Sequence, residues 1–464
     1  MSAALPDTAR RPGLLHDTRR IAALAWPLFF GQLAVLAFST VDTVMTARYG
    51  ALDLAALAVG GAVYITVFVG FMGVILAIGP IAGQLFGAGR LHEAGDQLHQ
   101  AMWLALGLSV IGCTLLIFPE PFLALSHATG EVAAKVRGYL LGLAFALPSA
   151  LLFTAFRGFN TAVSRPKIVM ALQFGALVLK IPLNALLVFG VDGPVRVPAF
   201  GATGCGIATA IVMGLQLGAA WIVLRRDPFY RRFGLHERRF SAPRRDSLGA
   251  LLRLGIPMGL SIGIEVTGFT FMAFFISRLG TTPVAGHQIA VNIVSVMFMM
   301  PLALANATST LVAQRIGADD AHDARRIGWR GLQIALAIAT AMGAAVYWSR
   351  EGLMGFYTRD TLVIAAAMPL LAWVILFHIA DAAQTLAAFV LRAYKQATVP
   401  VVIYASASWG VGLGGGYLLA FNTTGLSPVS LHGAQGFWAA ATAGLALSAL
   451  CLTFFLIWLL RQRR

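Results

Sequence analysis

RRDPFYRRFGLHERRFSAPRR, residues 225–245, carries eight arginines and divides a chain of 464 residues that is 58% hydrophobic and 11% charged. On either side, apolar stretches recur, each close to the roughly 20 residues a helix needs to cross a hydrocarbon core. Before it they fall at 21–46, 55–83, 97–119, 133–156, 168–190 and 203–224. After it they fall at 251–277, 284–312, 327–349, 362–391, 398–420 and 434–460. The strands of a membrane β-barrel would alternate apolar and polar residues, and no segment here does so. With a mean hydropathy of +0.79, the chain lacks the charge a soluble protein of this length needs to cover its surface. The expected fold is an all-α integral membrane protein of twelve transmembrane helices.

The net charge of +15 raises the question of nucleic acid, and its distribution answers it. With the N-terminus set in the cytoplasm, 26 of the 34 basic residues fall on that side and seven on the other. Lys180 alone lies within an apolar segment. This bias places both termini in the cytoplasm and makes the arginine-rich stretch a cytoplasmic linker against anionic headgroups. Nucleic acid is not an expected partner. The expected organisation is an N-terminal tail (1–20), an N-lobe (21–224), a linker (225–250), a C-lobe (251–460) and a C-terminal tail (461–464). The first apolar run is too long for a signal peptide and reads as a retained helix. Cys113, Cys205 and Cys451 have no metal-ligand spacing and read as small core hydrophobes.

The two sides of the linker repeat each other. Pro27 has a counterpart in Pro257, and GPIAGQLFGAG (79–89) parallels TSTLVAQRIGA (308–318) with Gln84 and Gln314 again 230 apart. FRGFNTAVSRP (156–166) parallels LRAYKQATVP (391–400), and GATGCGIATA (201–210) parallels GAQGFWAAAT (433–442). Six helices per half, both starting on one side, give two parallel repeats around an axis along the membrane normal. Such lobes can rock about a central cavity between them.

Of 19 acidic residues, three sit well inside apolar segments: Asp42, Glu265 and Asp381. A charge at the bilayer centre costs about 2.5–3.5 kcal/mol on insertion scales, so these should face a shared interior. There they could exchange protons or bind a cation; the alternative is a carboxylate that staples two helices by hydrogen bonds. His378 and Gln384, three residues either side of Asp381, share its helical face, and Phe377 lies four back on the same side. Met297, Met299 and Met300 could form an adaptable surface, but gap-filling or lipid contact is the plainer reading. No P-loop supplies ATP, and no HExxH or GxSxG motif suggests an enzyme. Energy would come from an ion gradient, at about 2.3 kcal/mol per charge through 100 mV.

STVDTVMTARYGALDLAALAVG (39–60), GQLFGAGR (83–90), GHQIAVN (286–292), HIADAAQTLAAFVLRAYK (378–395) and GAQGFW (433–438) carry a family resemblance. From about residue 20 to 460 the chain resembles the multidrug and toxic compound extrusion (MATE) family, in its NorM-like bacterial branch. The resemblance implies a secondary active antiporter, working as a monomer in the bacterial inner membrane by alternating access of its lobes. It would export lipophilic organic cations in exchange for H+ or Na+, with no other cofactor. It implies that Glu265 and Asp381 bind the coupling cation, with Na+ a possible ligand, and that Asp42 and Asn184 line an N-lobe site. Two positions depart from the pattern: Lys180, where relatives with an N-lobe cation site carry Asn, and Phe377, where some carry Tyr. A lone ammonium in an apolar helix should pair with an acid or lose its proton, and if helix five packs on helix one as the resemblance implies, the available acid is Asp42; snorkelling to a headgroup is the alternative. A lipid-linked oligosaccharide flippase of the same superfamily is the second functional reading. Its pyrophosphate cargo would favour buried bases, whereas here three acids face one lysine.

Overall fold

The computed structural model describes residues 13–126, 130–191, 196–236, 240–423 and 425–462. Twelve long helical segments organise them. The first six are α1 (Leu14–Tyr49), α2 (Ala51–Gly87), α3 (Leu91–Ile117), α4 (Gly130–Ala162), α5 (Pro166–Phe189) and α6 (Ala202–Arg226). The second six begin with α7 (Arg245–Ser277), α8 (Thr281–Gly317), α9 (Ala321–Trp348) and α10 (Thr361–Ala393). They end with α11, made of three consecutive pieces Thr398–Ala405, Ser406–Gly414 and Gly415–Ala420, and α12 (Ala434–Gln462). Eleven are continuous enough, long enough and apolar enough to cross a membrane. The twelfth expected span, α11, is helical throughout but widens over Ser406–Gly414 into a π-helix. Glycines at 410, 412, 414, 415 and 416 weaken the α form there, and α12 presses close: a Cβ on Gly416 would lie 2.6 Å from the Phe437 ring.

Breaks and starts have local causes. Pro80 has no N–H and its ring would meet the carbonyl of Leu76, so α2 is interrupted at Leu76–Ala77 before resuming at Ile78. Asp360 starts α10 by accepting the N–H of Leu362 at 2.9 Å, and Asp320 starts α9 in the same way through Asp323. Outward-facing Phe145, Val178, Phe274 and Phe454 are 62–72% exposed, the surface a lipid solvent wants.

Helices α1–α6 form one lobe and α7–α12 the other, but each lobe's first helix begins on its neighbour. Leu251, Leu254 and Met258 of α7 belong to the N-lobe core, while Ile21 and Ala25 of α1 pack with Leu304 and Leu311 in the C-lobe. Contacts between lobes come in pairs that the repeat relates: α2 with α7 and α8 with α1, α3 with α7 and α9 with α1, α4 with α8 and α10 with α2. The self-related pair, α2 with α8, is tightest. A Cβ on Gly87 would fall 1.8 Å from the carbonyl oxygen of Gln314, and one on Gly317 would fall 1.8 Å from that of Gln84. The two glutamines also cross over. Gln84 donates to the carbonyl of Ala393 at 2.8 Å, and Gln314 to that of Ala162 at 2.7 Å, each closing the end of the other lobe's fourth helix. The crossing of α2 with α8 lies on the side where α1 starts at Leu14 and α12 ends at Gln462, here called the terminal face.

The linker differs from its expectation as a strip against headgroups. Arg225 and Arg226 finish α6, Arg245 already begins α7, and Pro228–Phe233 folds back as a 3-10 helix. Tyr230, Phe233 and Leu235 are buried in the N-lobe, with the Tyr230 hydroxyl donating to Asn160 at 2.6 Å, while Arg231 and Arg232 stay outside. Alternation of arginine with aromatic residues gives the segment one greasy and one charged side. Arg238 and Arg239 lie outside the described residues.

Candidate functional site

Polar groups converge at two places inside the helices, one per lobe. In the C-lobe, a cavity of about 60 Å³ lies between α7, α10, α11 and α12. Glu265 of α7 and Asp381 of α10 both reach its wall, one helix across from the other. Phe269 and Phe377 line it with edge-to-face rings 5.9 Å apart, and Phe377 meets Trp438 edge-to-face in turn at 5.3 Å. Such ring faces attract lipophilic cations, the more so away from water. Trp438 is fully buried and its indole N–H donates to Nδ1 of His287 at 3.3 Å, so His287 holds the aromatic wall in place. Arg392 at the end of α10 acts on Glu265 through space, and no ion pair engages either carboxylate among the described residues.

The sequence reading brought Glu265, Asp381 and Phe377 here and missed Tyr404 and Ser408 of α11. Both line the same cavity, Tyr404 from the α-helical piece of α11 and Ser408 from the π-helix that follows it. The signal was the run ASASWGVGLGGG (405–416), whose glycines forbid an ordinary packed helix. Two carboxylates with a phenol and a hydroxyl on the same wall form an all-oxygen donor set, which suits a proton or a hard monovalent cation. His378 and Gln384 are buried on α10 but are not among the lining residues. Gln384 accepts from the Thr385 hydroxyl at 3.1 Å, and neither ring nitrogen of His378 has a partner among the described residues. Met297 is buried in the C-lobe core, in keeping with gap-filling.

In the N-lobe, Asp42 of α1 meets α5 and α6. Its Oδ1 lies 3.0 Å from Nζ of Lys180 and accepts from Nδ2 of Asn184 at 2.6 Å. Lys180 also donates to the hydroxyl of Thr209, and its ammonium sits 4.2 Å over the Phe38 ring. Lys180 is 0% exposed, so the snorkelling alternative is wrong: the side chain points inward to the acid. Cys205 packs in the N-lobe core, as its reading as a small core residue expects, and has a second role. It is part of this cluster, 3.2 Å from the Thr46 hydroxyl and 3.7 Å from Nδ2 of Asn184. Small residues in apolar helices read alike whether they fill space or line a site, which is why Cys205 and Thr209 escaped notice.

Comparison with known proteins agrees with this geometry. The MatE family model matches twice, over residues 27–186 and 257–418. The two matches start at Pro27 and Pro257, the offset read from the repeats. A probable multidrug resistance protein NorM of Aromatoleum aromaticum is 40% identical over 441 residues, covering 94% of this chain and 92% of that protein. The multidrug resistance protein NorM of Vibrio cholerae is 34% identical, covering 96% of each. The fold matches the crystal structure of the Vibrio cholerae MATE transporter VcmN in its bent form, with a TM-score of 0.84 at 19% identity over 97% of this chain and 98% of that one. It also matches the eukaryotic MATE transporter AtDTX14, with a TM-score of 0.83 at 19% identity over 96% of both chains. These relatives carry multidrug-resistance names, and the flippase reading gains no support from them.

Proposed function

The chain belongs to the MatE family of multidrug efflux transporters, and from that premise we propose that it is a secondary antiporter for lipophilic organic cations. The observation that carries the reading is the C-lobe cavity, where Glu265 and Asp381 stand among aromatic rings and, among the described residues, neither makes an ion pair. Acids held this way can take a proton or Na+ from one side of the membrane and a cationic drug from the other, but not both at once. That exclusion is the whole of antiport: a ligand moves an equilibrium only by its differential affinity for two states. One charge through 100 mV supplies about 2.3 kcal/mol, enough for roughly a 40-fold drug gradient. Asp42 and Asn184 give the N-lobe a second acidic site. Ordinary expectations complete the picture: a monomer in the bacterial inner membrane, with the terminal face and both tails toward the cytoplasm, as the arginine distribution favours. In that orientation, lobes joined at the terminal face close the path to the cytoplasm.

The test is efflux of a cationic dye from everted vesicles, with proton and sodium gradients imposed separately. Glu265→Gln and Asp381→Asn keep shape and polarity but cannot ionise, so each should reduce gradient-driven efflux to background while the protein remains in the membrane. Wild-type-level transport by both variants would end the claim that these carboxylates couple the cycle.

A further inference from the structure

Lys180 occupies α5 at a depth where no headgroup can reach it, and every polar contact it makes points into the N-lobe. Its Nζ is 3.0 Å from Oδ1 of Asp42, it donates to Thr209, and the Phe38 ring lies 4.2 Å beneath it. Asn184, one helical turn on, binds the same carboxylate oxygen at 2.6 Å. An acidic oxygen, a hydroxyl and a ring face around one positive charge are what a cation site presents to its ligand. We propose that Lys180 is the resident cation of the N-lobe, its ammonium filling the place at Asp42 that a free metal cation would otherwise take. Lys180 is therefore a specificity-determining residue: it closes the N-lobe to sodium and leaves Asp42 to protons.

The chemistry follows from the pairing. A sodium ion entering beside Asp42 would have to displace a tethered ammonium whose effective concentration is fixed by the helix, and would leave that ammonium buried and uncompensated. A proton faces a smaller obstacle. It binds the carboxylate without displacing the ammonium, which loses its counter-charge as it would to sodium but keeps its place against Thr209 and the Phe38 ring. The other titratable groups facing the pair are weak acids only. They are the Cys205 thiol on α6 and the Tyr139 phenol on α4, the latter in electrostatic reach of Asp42 and Cys205, with Tyr64 of α2 behind it. Among the described residues no second carboxylate or base joins the cluster.

The inference rests on the antiport reading for its meaning, but its first test does not. Purified protein carrying Glu265→Gln and Asp381→Asn has no C-lobe carboxylates, and radiolabelled sodium is the probe. This background should bind no saturable sodium. Adding Lys180→Asn should create a saturable site, and adding Asp42→Asn should remove it again. Lys180→Met, which keeps the stem and drops the charge, carries the same expectation if the asparagine variant does not fold; Lys180→Arg should stay silent. Asp42-dependent sodium binding in the Lys180 background would overturn the proposal, and so would no gain in the folded Asn and Met variants. In vesicles with the C-lobe intact, Lys180→Asn should also make efflux respond to an imposed sodium gradient through Asp42. Lys180→Arg should restore the parental response, which a merely structural lysine would not require. If the unmodified chain exports no dye, antiport fails, and the sodium result still decides the role of Lys180.

Discussion

Asp227 sits where α6 ends, and its carboxylate takes the N–H of Phe229 at 2.9 Å and the guanidinium of Arg165 at 2.6 Å. Burial alone would raise its pKa, but the Phe229 N–H and then Arg165 outweigh that and hold it below the ordinary carboxylate range. A depressed folded-state pKa gives stability that is full above the unfolded value, about 3.9, and is lost as pH falls through the folded one. The linker's docking should therefore be insensitive to pH near neutrality and loosen only in acid, below about pH 4. Asp227→Asn should weaken docking at neutral pH and flatten the acid response, read as hydrogen exchange across residues 227–236. Unchanged exchange in that variant at pH 7 would mean that the buried Tyr230 and Phe233 anchor the segment alone. What the sequence tells at this scale depends on charge. Asp42, Lys180, Glu265 and Asp381 announce themselves because ionisable residues are costly in apolar helices. Tyr404, Ser408, Thr209 and Cys205 stand in the same two sites and carry no such cost, so nothing in their own identity sets them apart.

Helices were legible as existing, less so in their form. Every expected span is present, but each of the long ones runs past its apolar core into polar turns, as α8 does by reaching Gly317. The hydrocarbon requirement sets a minimum length, whereas the caps decide where a helix stops. The π-helical part of α11 was legible only as a glycine-rich, weakened stretch, because its form also answers to Gly444 of α12, which packs on Ala407 and Gly412. Gly87 and Gly317 show the same dependence on a distant partner. Each lets α2 and α8 cross backbone to backbone, and a single methyl would need 1.8 Å of room that is filled by a carbonyl. Gly87→Ala and Gly317→Ala should each push the helices apart at the terminal face, at about 1–3 kcal/mol of overpacking. A cysteine at Ser164, which accepts a bond from Gln314 at this crossing, should then alkylate faster from that side. Parental alkylation rates in both variants would show that the crossing is not what shuts the face.

Across the whole molecule, the repeat at an offset of 230 disclosed two lobes, yet not how they grip each other. An apolar helix face names no partner, so the exchange of α1 and α7 between lobes could not be read. Polar contacts at the terminal face differ sharply between the two related positions. Where α1 meets α9, Asp17 pairs with Arg326 at 3.0 Å and Arg20 with Asp323 at 3.4 Å, and Asp17 is 1% exposed. Where the approach to α7 meets α3, the bonds are mostly neutral: Gln100 to Ala242 at 2.8 Å, Trp103 to Ser241 at 3.0 Å, with Arg244 and Asp96 at 3.6 Å. Breaking one partner of a buried pair costs about 3 kcal/mol or more, because the other charge is stranded. Arg326→Gln should therefore loosen the terminal face and lower the thermal midpoint, and Asp17→Asn added to it should recover part of the loss. Equal losses in single and double variants would show that the pair is not coupled.

The reciprocal crossing also says something about history. Glycine against carbonyl, glutamine to helix end and first helix lent to the neighbour are each made twice, with donor and acceptor trading lobes. Those are the contacts a six-helix protein would make with an identical copy across a twofold axis, by swapping its first helix. In such a dimer both interiors must be the same. Once the two copies share one chain, each can differ from the other, and here one interior pairs its Asp42 with a lysine while the other lines a cavity with Glu265 and Asp381.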